Sequence, residues 1–347
     1  MTINRRVMTV VGATGKQGGS VARSLLQNAD FEVRCLTRDA GSSKAEALRS
    51  LGAEVVQVDG FNEAETQKAI AGSWGIFINN GYTNSPTVRD GRYDLDFGNC
   101  ILRSAAAAGI QHVVFSSQPS AESLTNGAIR TPILDVKAYG DSWGRANPAF
   151  TTFTPIMSSW YLEDFLMPSF YQGFGGFPFE EDSDGYLTFR TPLIGGREEV
   201  PWICVDEDFG DLVHGIFLNP LRWNRRTVQA VGDIVSFEDI VNTFIRVTEK
   251  KARFIGYEDP AQFPAFDKPE LKESSDVFAF YQLRHGEIFG NGITECRTAL
   301  ELKQAAFKAK GSKGRKRLTT CAEWFTELYN SPTGKPCTLD ACSMDTN

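Results

Sequence analysis

Apolar and polar positions change period repeatedly along the first 155 residues. Short, nearly continuous apolar runs fall at 7–11, 31–36, 55–58, 75–80, 112–117 and 150–154, too short for helices and rich enough in Val, Ile and Phe to read as buried strands. Between them the apolar residues recur at helical spacing. Val21, Ala22, Leu25 and Leu26 follow the first run, a short helix reads over 62–71, and Leu95, Ile101, Leu102, Ala105 and Ala106 mark one over 90–108, closed by Gly109. Another opens at Ile133 after Pro132. Strand, crossover helix and strand in this order predict an α/β fold with a right-handed, parallel, doubly wound sheet.

Beyond residue 166 this alternation dissolves into loops and aromatics, among them Phe170, Phe177, Phe189 and Trp202, interrupted by Gly and Pro. Helices read over 208–218, 237–250, 294–310 and 319–329, with a short strand over 253–257. The expected organisation is a doubly wound α/β domain over 1–155 and a smaller, irregular α+β C-terminal cap over 156–335, some of whose segments return to the sheet. A flexible tail over 336–347 follows. The cap aromatics either shape a flat apolar substrate site or are its core.

The first strand runs into Gly12-Ala-Thr-Gly15-Lys-Gln-Gly18 and then directly into a helix. Glycines three apart in this context let the chain leave the strand sharply, let the backbone approach an anion, and let the helix pack closely. A helix N-terminus offers unpaired N–H groups and partial positive charge, so a dinucleotide diphosphate is expected here. The second strand ends in Thr37-Arg38, where an acid would bond a free ribose 2′-hydroxyl. Arg38 instead presents a cationic fork suited to phosphate, with Lys44 nearby, which favours NADP(H) over NAD(H); its alternative reading is a solvated loop arginine. Asp59, Gly60, Phe61, Asn79, Asn80, Ser116 and Ser117 stand at the ends of the next strands and are expected to wall the cleft. Ser116 and Ser117 can equally satisfy their own backbone. Lys137 falls on the crossover helix that would face the nicotinamide end, or on that helix's solvated face.

Composition narrows the class. The chain has 347 residues, 41% hydrophobic and 23% charged, with a net charge of −7, which suits an enzyme-sized globular protein and gives no overall attraction to nucleic acid. No apolar run is long enough to span a bilayer, and the first strand begins too early for a signal peptide, so a cytoplasmic location is expected, with nuclear access open. Seven cysteines, scattered without short pairings to histidine, argue against a disulfide framework and a zinc site; neither His214 nor His285 is assigned a metal. Lys308, Lys310, Lys313, Arg315, Lys316 and Arg317 form a basic stretch, read as a solvated mobile loop, with a nuclear address or a patch for an acidic partner as its alternatives.

Together, Val-Val-Gly-Ala-Thr-Gly-Lys-Gln-Gly-Gly at 10–19, Thr-Arg at 37–38, Val-Phe-Ser-Ser at 114–117, Lys137, the segment at 154–165 and Asp-Glu-Asp-Phe-Gly at 206–210 resemble the NmrA-like family, atypical relatives of the short-chain dehydrogenase/reductases of fungal type. The resemblance covers about 7–330 and implies a Rossmann-like fold. It assigns the diphosphate to Gly12, Thr14, Gly15, Lys16, Gln17 and Gly18, the adenosine phosphate to Arg38, and the nicotinamide and its ribose to Lys137. It places Trp160 and Tyr161 beside the substrate and makes Asp206 and Asp208 a structural acid turn.

One departure concerns the chemistry. Short-chain dehydrogenases pair a lysine with a tyrosine four residues earlier, whose lowered pKa serves proton transfer, and that position here is Ile133. Lys137, Tyr161 or a water would have to supply the proton. Two functions follow: an NADP(H)-dependent oxidoreductase acting on a small, aromatic or polyketide-like metabolite, or a non-catalytic NADP(H) redox sensor that grips a transcription factor or other protein partner.

Overall fold

Six apolar runs become the parallel strands β1 (Arg6–Val11), β2 (Phe31–Thr37), β3 (Glu54–Gln57), β4 (Gly75–Ile78), β5 (His112–Ser117) and β6 (Thr152–Ser158), joined by a seventh strand, Val228–Ala230. The computed structural model describes residues 5–80, 94–263 and 269–330. The start of the helix read over 90–108 and the tail over 336–347, with Cys337 and Cys342, lie outside the described residues. Strand order is β3-β2-β1-β4-β5-β6 and then Val228–Ala230, every neighbouring pair parallel. The order reverses between β1 and β4, which opens a crevice at their C-terminal ends, where ligands of such sheets bind.

Both faces of the sheet are covered, as the unbroken apolar runs require. On one face α1 (Lys16–Leu26) and α2 (Ser43–Ser50) meet the helices Gly210–Leu218 and Arg297–Ala309; on the other lie α3 (Glu63–Ile70), α4 (Asp94–Ala107) and, after the short α5 (Ala121–Leu124), α6 (Pro132–Ala146). Along β5, Val114 enters the first core while Val113 and Phe115 enter the second, the alternation that a doubly covered strand imposes.

Four expectations are corrected. The sixth strand, read over 150–154, runs on to Ser158. Pro155 lies one residue ahead of the ladder with Val228–Ala230, which starts at Ile156, so its missing N–H is not needed there. Residues 187–192, expected as loop, form a strand pairing parallel with Ala252–Tyr257; its pairing partner lies 65 residues on, out of reach of local pattern. The helix Arg297–Ala309, read as cap, buries Ala299 and Leu302 in the sheet's core. The basic stretch is not a free loop: Lys310 is buried, and Arg315 and Arg317 pair with Glu327 and Glu323 of the helix Cys321–Asn330.

The cap core is aromatic. Phe165 stacks on Trp202 with ring centroids 5.5 Å apart and meets Phe177 and Phe189 edge-on at 5.4 Å. Phe237, Phe244 and Phe325 complete it. Most of the cap aromatics listed from the sequence are therefore core.

Buried charge ties cap to sheet. Lys303 Nζ sits 2.6 Å from Asp208 Oδ1 and 3.3 Å from Asp211 Oδ2, and Lys310 Nζ 2.6 Å from Asp211 Oδ1. Asp208 also accepts the Thr319 N–H at 2.9 Å. Lys303 and Asp208 are fully buried, so each depends on the other for the solvation that it gave up. His214, also buried, spends its ring nitrogens on Ser24 and Asn28. Burial lowers its pKa to about 4, so it is neutral at pH 7.

The turn after β6 is anchored by Glu163. Its Oε1 accepts the Asp206 N–H at 2.8 Å and the Cys204 thiol at 3.3 Å, while Arg23 of α1 holds the Asp206 carboxylate at 2.9 Å. Glu163 Oε2 is buried without a hydrogen-bond partner among the described residues. Burial pushes this carboxyl from its ordinary 4.5 up to about 7.

Two outcomes are expected. Lys303→Met leaves two buried carboxylates short of a cation and lowers the unfolding free energy by about 3–5 kcal/mol, read as a drop in midpoint in guanidinium titrations. Because the folded pKa of Glu163 lies above its unfolded value, stability from this group falls as pH rises from 4.5 to about 7 and is level above, a span on the order of 3 kcal/mol. In thermal melts Glu163→Gln should match the parent at pH 4.5 and exceed it at pH 8; parallel pH profiles would contradict the assignment.

Candidate functional site

Every strand of the main sheet points its C-terminal end at the same edge, so residues far apart in sequence meet there. Leaving β1, Gly12 takes φ +68°, and Gly15 starts α1 with its N–H bonded to the Gly12 carbonyl at 3.0 Å. Gly18 packs against that same carbonyl so closely that a Cβ would lie 2.2 Å from its oxygen. No side chain fits there. The expected helix-to-sheet contact of Gly18 is thus a contact with the loop's own backbone. Ser42 caps α2 and Asn62 caps α3 through side-chain oxygens, but α1 has no side-chain cap and no acid in its first turn, which leaves its N–H groups and partial positive charge for an anion.

Around this loop the candidate residues separate into three groups. At the end of β2, Thr37 Oγ1 bonds Thr14 Oγ1 at 3.1 Å and pins the loop. Arg38 is exposed and forms no ion pair with a described residue, while Asp39 spends its carboxylate on the Gly41 N–H at 2.8 Å. At the end of β3, Gly60 is buried under Phe97 and Phe61 meets the Phe97 ring at 5.5 Å, with Asp59 exposed beside them.

The second group surrounds Lys137. This side chain is only 9% exposed, and its Nζ donates to Asn79 Oδ1 at the end of β4 and to Ser116 Oγ at the end of β5, both at 3.0 Å. A solvated lysine on a helix face is thereby ruled out. Asn80, beside Asn79, is buried with its Oδ1 unpartnered among the described residues. Ser117, by contrast, turns to Asp141 on α6 at 3.0 Å and serves the scaffold.

The third group comes from the turn after β6. Trp160–Tyr161 is a two-residue strand paired with Pro201–Ile203, so the two side chains face opposite ways. Tyr161 Oη accepts from Gln17 Nε2 at 2.6 Å and lies 3.2 Å from Ser158 Oγ. Trp160 goes to the cap core, against Phe170, Phe174, Trp202, Phe237 and Phe278. The structure therefore brings Tyr161, and not Trp160, to the glycine loop. Lys16 reaches the same turn, with Nζ 2.5 Å from Asp164 Oδ1 and 2.9 Å from Met167 Sδ. Burial pushes the Tyr161 phenol up to about 12.

Ser158 and Asp164 lie in the segment 155–165 that the family resemblance assigns to the substrate cleft, and Gln118 joins them without having been expected there. The position of Gln118 immediately after β5 was the available signal. Asp206 and Asp208 lie behind α1, bonded to Arg23 and Lys303, in keeping with a structural acid turn. Among the described residues no His, Cys, Asp and Glu cluster could hold a metal ion, and no helix is long and apolar enough to cross a membrane.

Comparison with known proteins places these features. The model of the NmrA-like family matches residues 4–305. The NmrA-like family domain-containing oxidoreductase himF of Aspergillus japonicus is 47% identical over 324 residues, covering 93% of this chain and 98% of the relative. The similarly named lnaB of Aspergillus flavus is 45% identical over 336 residues, covering 95% and 99%. Among solved structures, NmrA, described as a negative transcriptional regulator in complex with NADP, superposes with a TM-score of 0.68 at 20% identity over 95% of this chain and 97% of that one. An NADPH-dependent quinone oxidoreductase from Escherichia coli, complexed with NADPH, gives 0.64 at 16% over 93% and 100%. At such identities the structures establish the Rossmann-like fold, while the sequence relatives and the family model establish kinship: this chain belongs to the NmrA-like family.

Proposed function

We propose that this chain binds NADP(H) across the β1–β4 crevice and is an oxidoreductase acting on a small, aromatic or polyketide-like metabolite. The observation that carries the reading is the loop at 12–18, a cradle closed to any Cβ at Gly18, at the head of a helix that no side chain caps. Gln17 Oε1, buried there without a described partner, fits a ligand that completes the site. Names of relatives more than 40% identical over nearly the whole chain support the reaction class.

In this reading Gly12, Thr14, Gly15, Lys16, Gln17 and Gly18 hold the diphosphate through backbone N–H groups and the helix dipole. Arg38 takes the adenosine phosphate, and Asp59, Gly60 and Phe61 wall the adenosine side. Lys137, fixed by Asn79 and Ser116, orients the nicotinamide ribose, with Asn80 beside it. When bound, the dinucleotide supplies or accepts the hydride. Tyr161 stays protonated at neutral pH because its phenol is buried and can serve as the acid. Trp160, expected beside the substrate, instead belongs to the cap core and takes no part in the site.

The non-catalytic sensor gains less from the structure. The basic stretch that favoured a protein partner has Lys310, Arg315 and Arg317 committed to Asp211, Glu327 and Glu323.

Calorimetry with NADPH and NADH tests the cofactor. Arg38→Ala should weaken NADPH binding by about 10-fold or more, the worth of a charge-assisted phosphate contact, and leave NADH affinity unchanged; equal losses for both would refute the assignment. For the reaction, NADPH oxidation against quinones, enones and imines should be detectable in the wild type and fall by about 100-fold in Lys137→Ala. Tight NADPH binding with no turnover across that panel, and recovery of a protein partner, would favour the sensor.

A further inference from the structure

Four side chains form a row across the crevice. Gln17 Nε2 donates to Tyr161 Oη at 2.6 Å, Tyr161 Oη and Ser158 Oγ lie 3.2 Å apart, and Gln118 Nε2 donates to Ser158 Oγ at 3.1 Å. Gln118 Nε2 also reaches the Ser158 carbonyl at 3.1 Å, which fixes which end of the amide faces the serine. Each hydroxyl carries a single hydrogen, and each hydroxyl oxygen already accepts an amide N–H. Their mutual contact consumes one of the two hydrogens. With the Gln17 amide nitrogen toward Tyr161, the other hydroxyl hydrogen has no acceptor among the described residues, whichever way the contact runs. An O–H held in a half-buried cleft without an acceptor forfeits a hydrogen bond that water would have given.

Its location gives that spare donor a use. Gln17 belongs to the glycine loop and Ser158 to the end of β6, so the pair sits between the diphosphate cradle and the substrate side of the crevice. Ile133 occupies the place of the usual proton-donating tyrosine. Lys137 binds Asn79 and Ser116, and no bond joins it to Tyr161. Tyr161 is the hydroxyl acid that the described residues bring to the glycine loop.

We propose that the Tyr161–Ser158 hydroxyl pair, braced by Gln17 and Gln118, is the oxyanion donor of the cleft and the acid of the reduction. This rests on the oxidoreductase reading above for its chemistry. As the hydride's electron pair enters the conjugated carbonyl substrate and the C=O π bond breaks, Tyr161 gives its proton to the oxygen that takes up the charge. Its own oxygen takes the Ser158 hydrogen, and a solvent proton restores the serine. The two electrons come from the reduced nicotinamide. Tyr161 touches the reacting oxygen, whereas Ser158, Gln17 and Gln118 are positioning residues. Gln17 makes the donor part of the cofactor loop, so the acid is held in register with the diphosphate cradle.

Two measurements on the full-length protein test this. The first titrates the NADP+-saturated protein with 4-nitrophenolate, an oxyanion whose absorbance reports hydrogen bonding and whose binding requires no turnover. Tyr161→Phe should weaken it about 10-fold and Ser158→Ala to a lesser degree, with Ser158→Thr restoring it and NADPH affinity holding within about twofold in all three. The second follows NADPH oxidation with 2-methyl-1,4-naphthoquinone, where Tyr161→Phe should lower kcat about 100-fold at unchanged KM for NADPH, and Ser158→Ala less, again rescued by threonine. Phenolate binding equal in wild type and Tyr161→Phe overturns the proposal. So does a reductase whose kcat is untouched by Tyr161→Phe, although the oxidoreductase reading then survives. Conversely, Tyr161-dependent phenolate binding in a protein that oxidises NADPH with no quinone, enone or imine upholds the oxyanion donor and sinks the reductase.

Discussion

The cleft depends on one close approach, that of Gly18 to the carbonyl of Gly12. Because no Cβ stands between them, the chain can leave β1, reverse within a few residues and begin α1 directly beneath the loop. A side chain there would push the helix away from the strand end. The first-turn N–H groups would then point past the crevice. Gln17 would also move with the helix, and with it the hydrogen bond that places Tyr161. Cradle and candidate acid thus share one backbone constraint.

A second layer of constraint holds the far side of the crevice. The turn at 158–166 lies between two anchors: Glu163, bonded to the Asp206 N–H, and Phe165, stacked in the cap's aromatic core. Asp206 is itself held by Arg23 on α1. The cap therefore reaches the glycine loop through a short path of buried contacts, and Lys303 with Asp208 and Asp211 locks the same helices from behind. Desolvated charges of this kind add little net stability but penalise other arrangements heavily, which suits a cleft whose two walls come from separate parts of the chain.

The missing tyrosine at 133 changes the division of labour at the site. Where a lysine and a phenol share a helix, the cation tunes the acid directly. Here Lys137 is sequestered by Asn79 and Ser116, and the phenol that reaches the cleft stands on another element, kept neutral by burial. In the proposed reaction, orientation falls to Lys137 and acidity to Tyr161, which stand on different elements. Such a site suits substrates whose oxygen gains its charge only in the transition state, since the donor is preorganised and uncharged beforehand.

The sequence by itself determined the parallel sheet, the glycine loop, the uncapped start of α1 and the arginine after β2, because each follows from neighbours a few residues apart: apolar period, glycine spacing, strand end. Lys137 could be located but not read, since a buried and a solvated helix lysine look alike until Asn79 and Ser116 are seen around it. The tertiary structure alone decided that Tyr161 faces the loop while Trp160 joins the cap core, that 187–192 pairs with 252–257, and that Lys310 is buried rather than solvated. Each of these is settled by a partner from 65 to 144 residues distant. Pairings over such separations depend on where the crossovers bring the chain back, and no local pattern of hydrophobic and polar residues encodes that return.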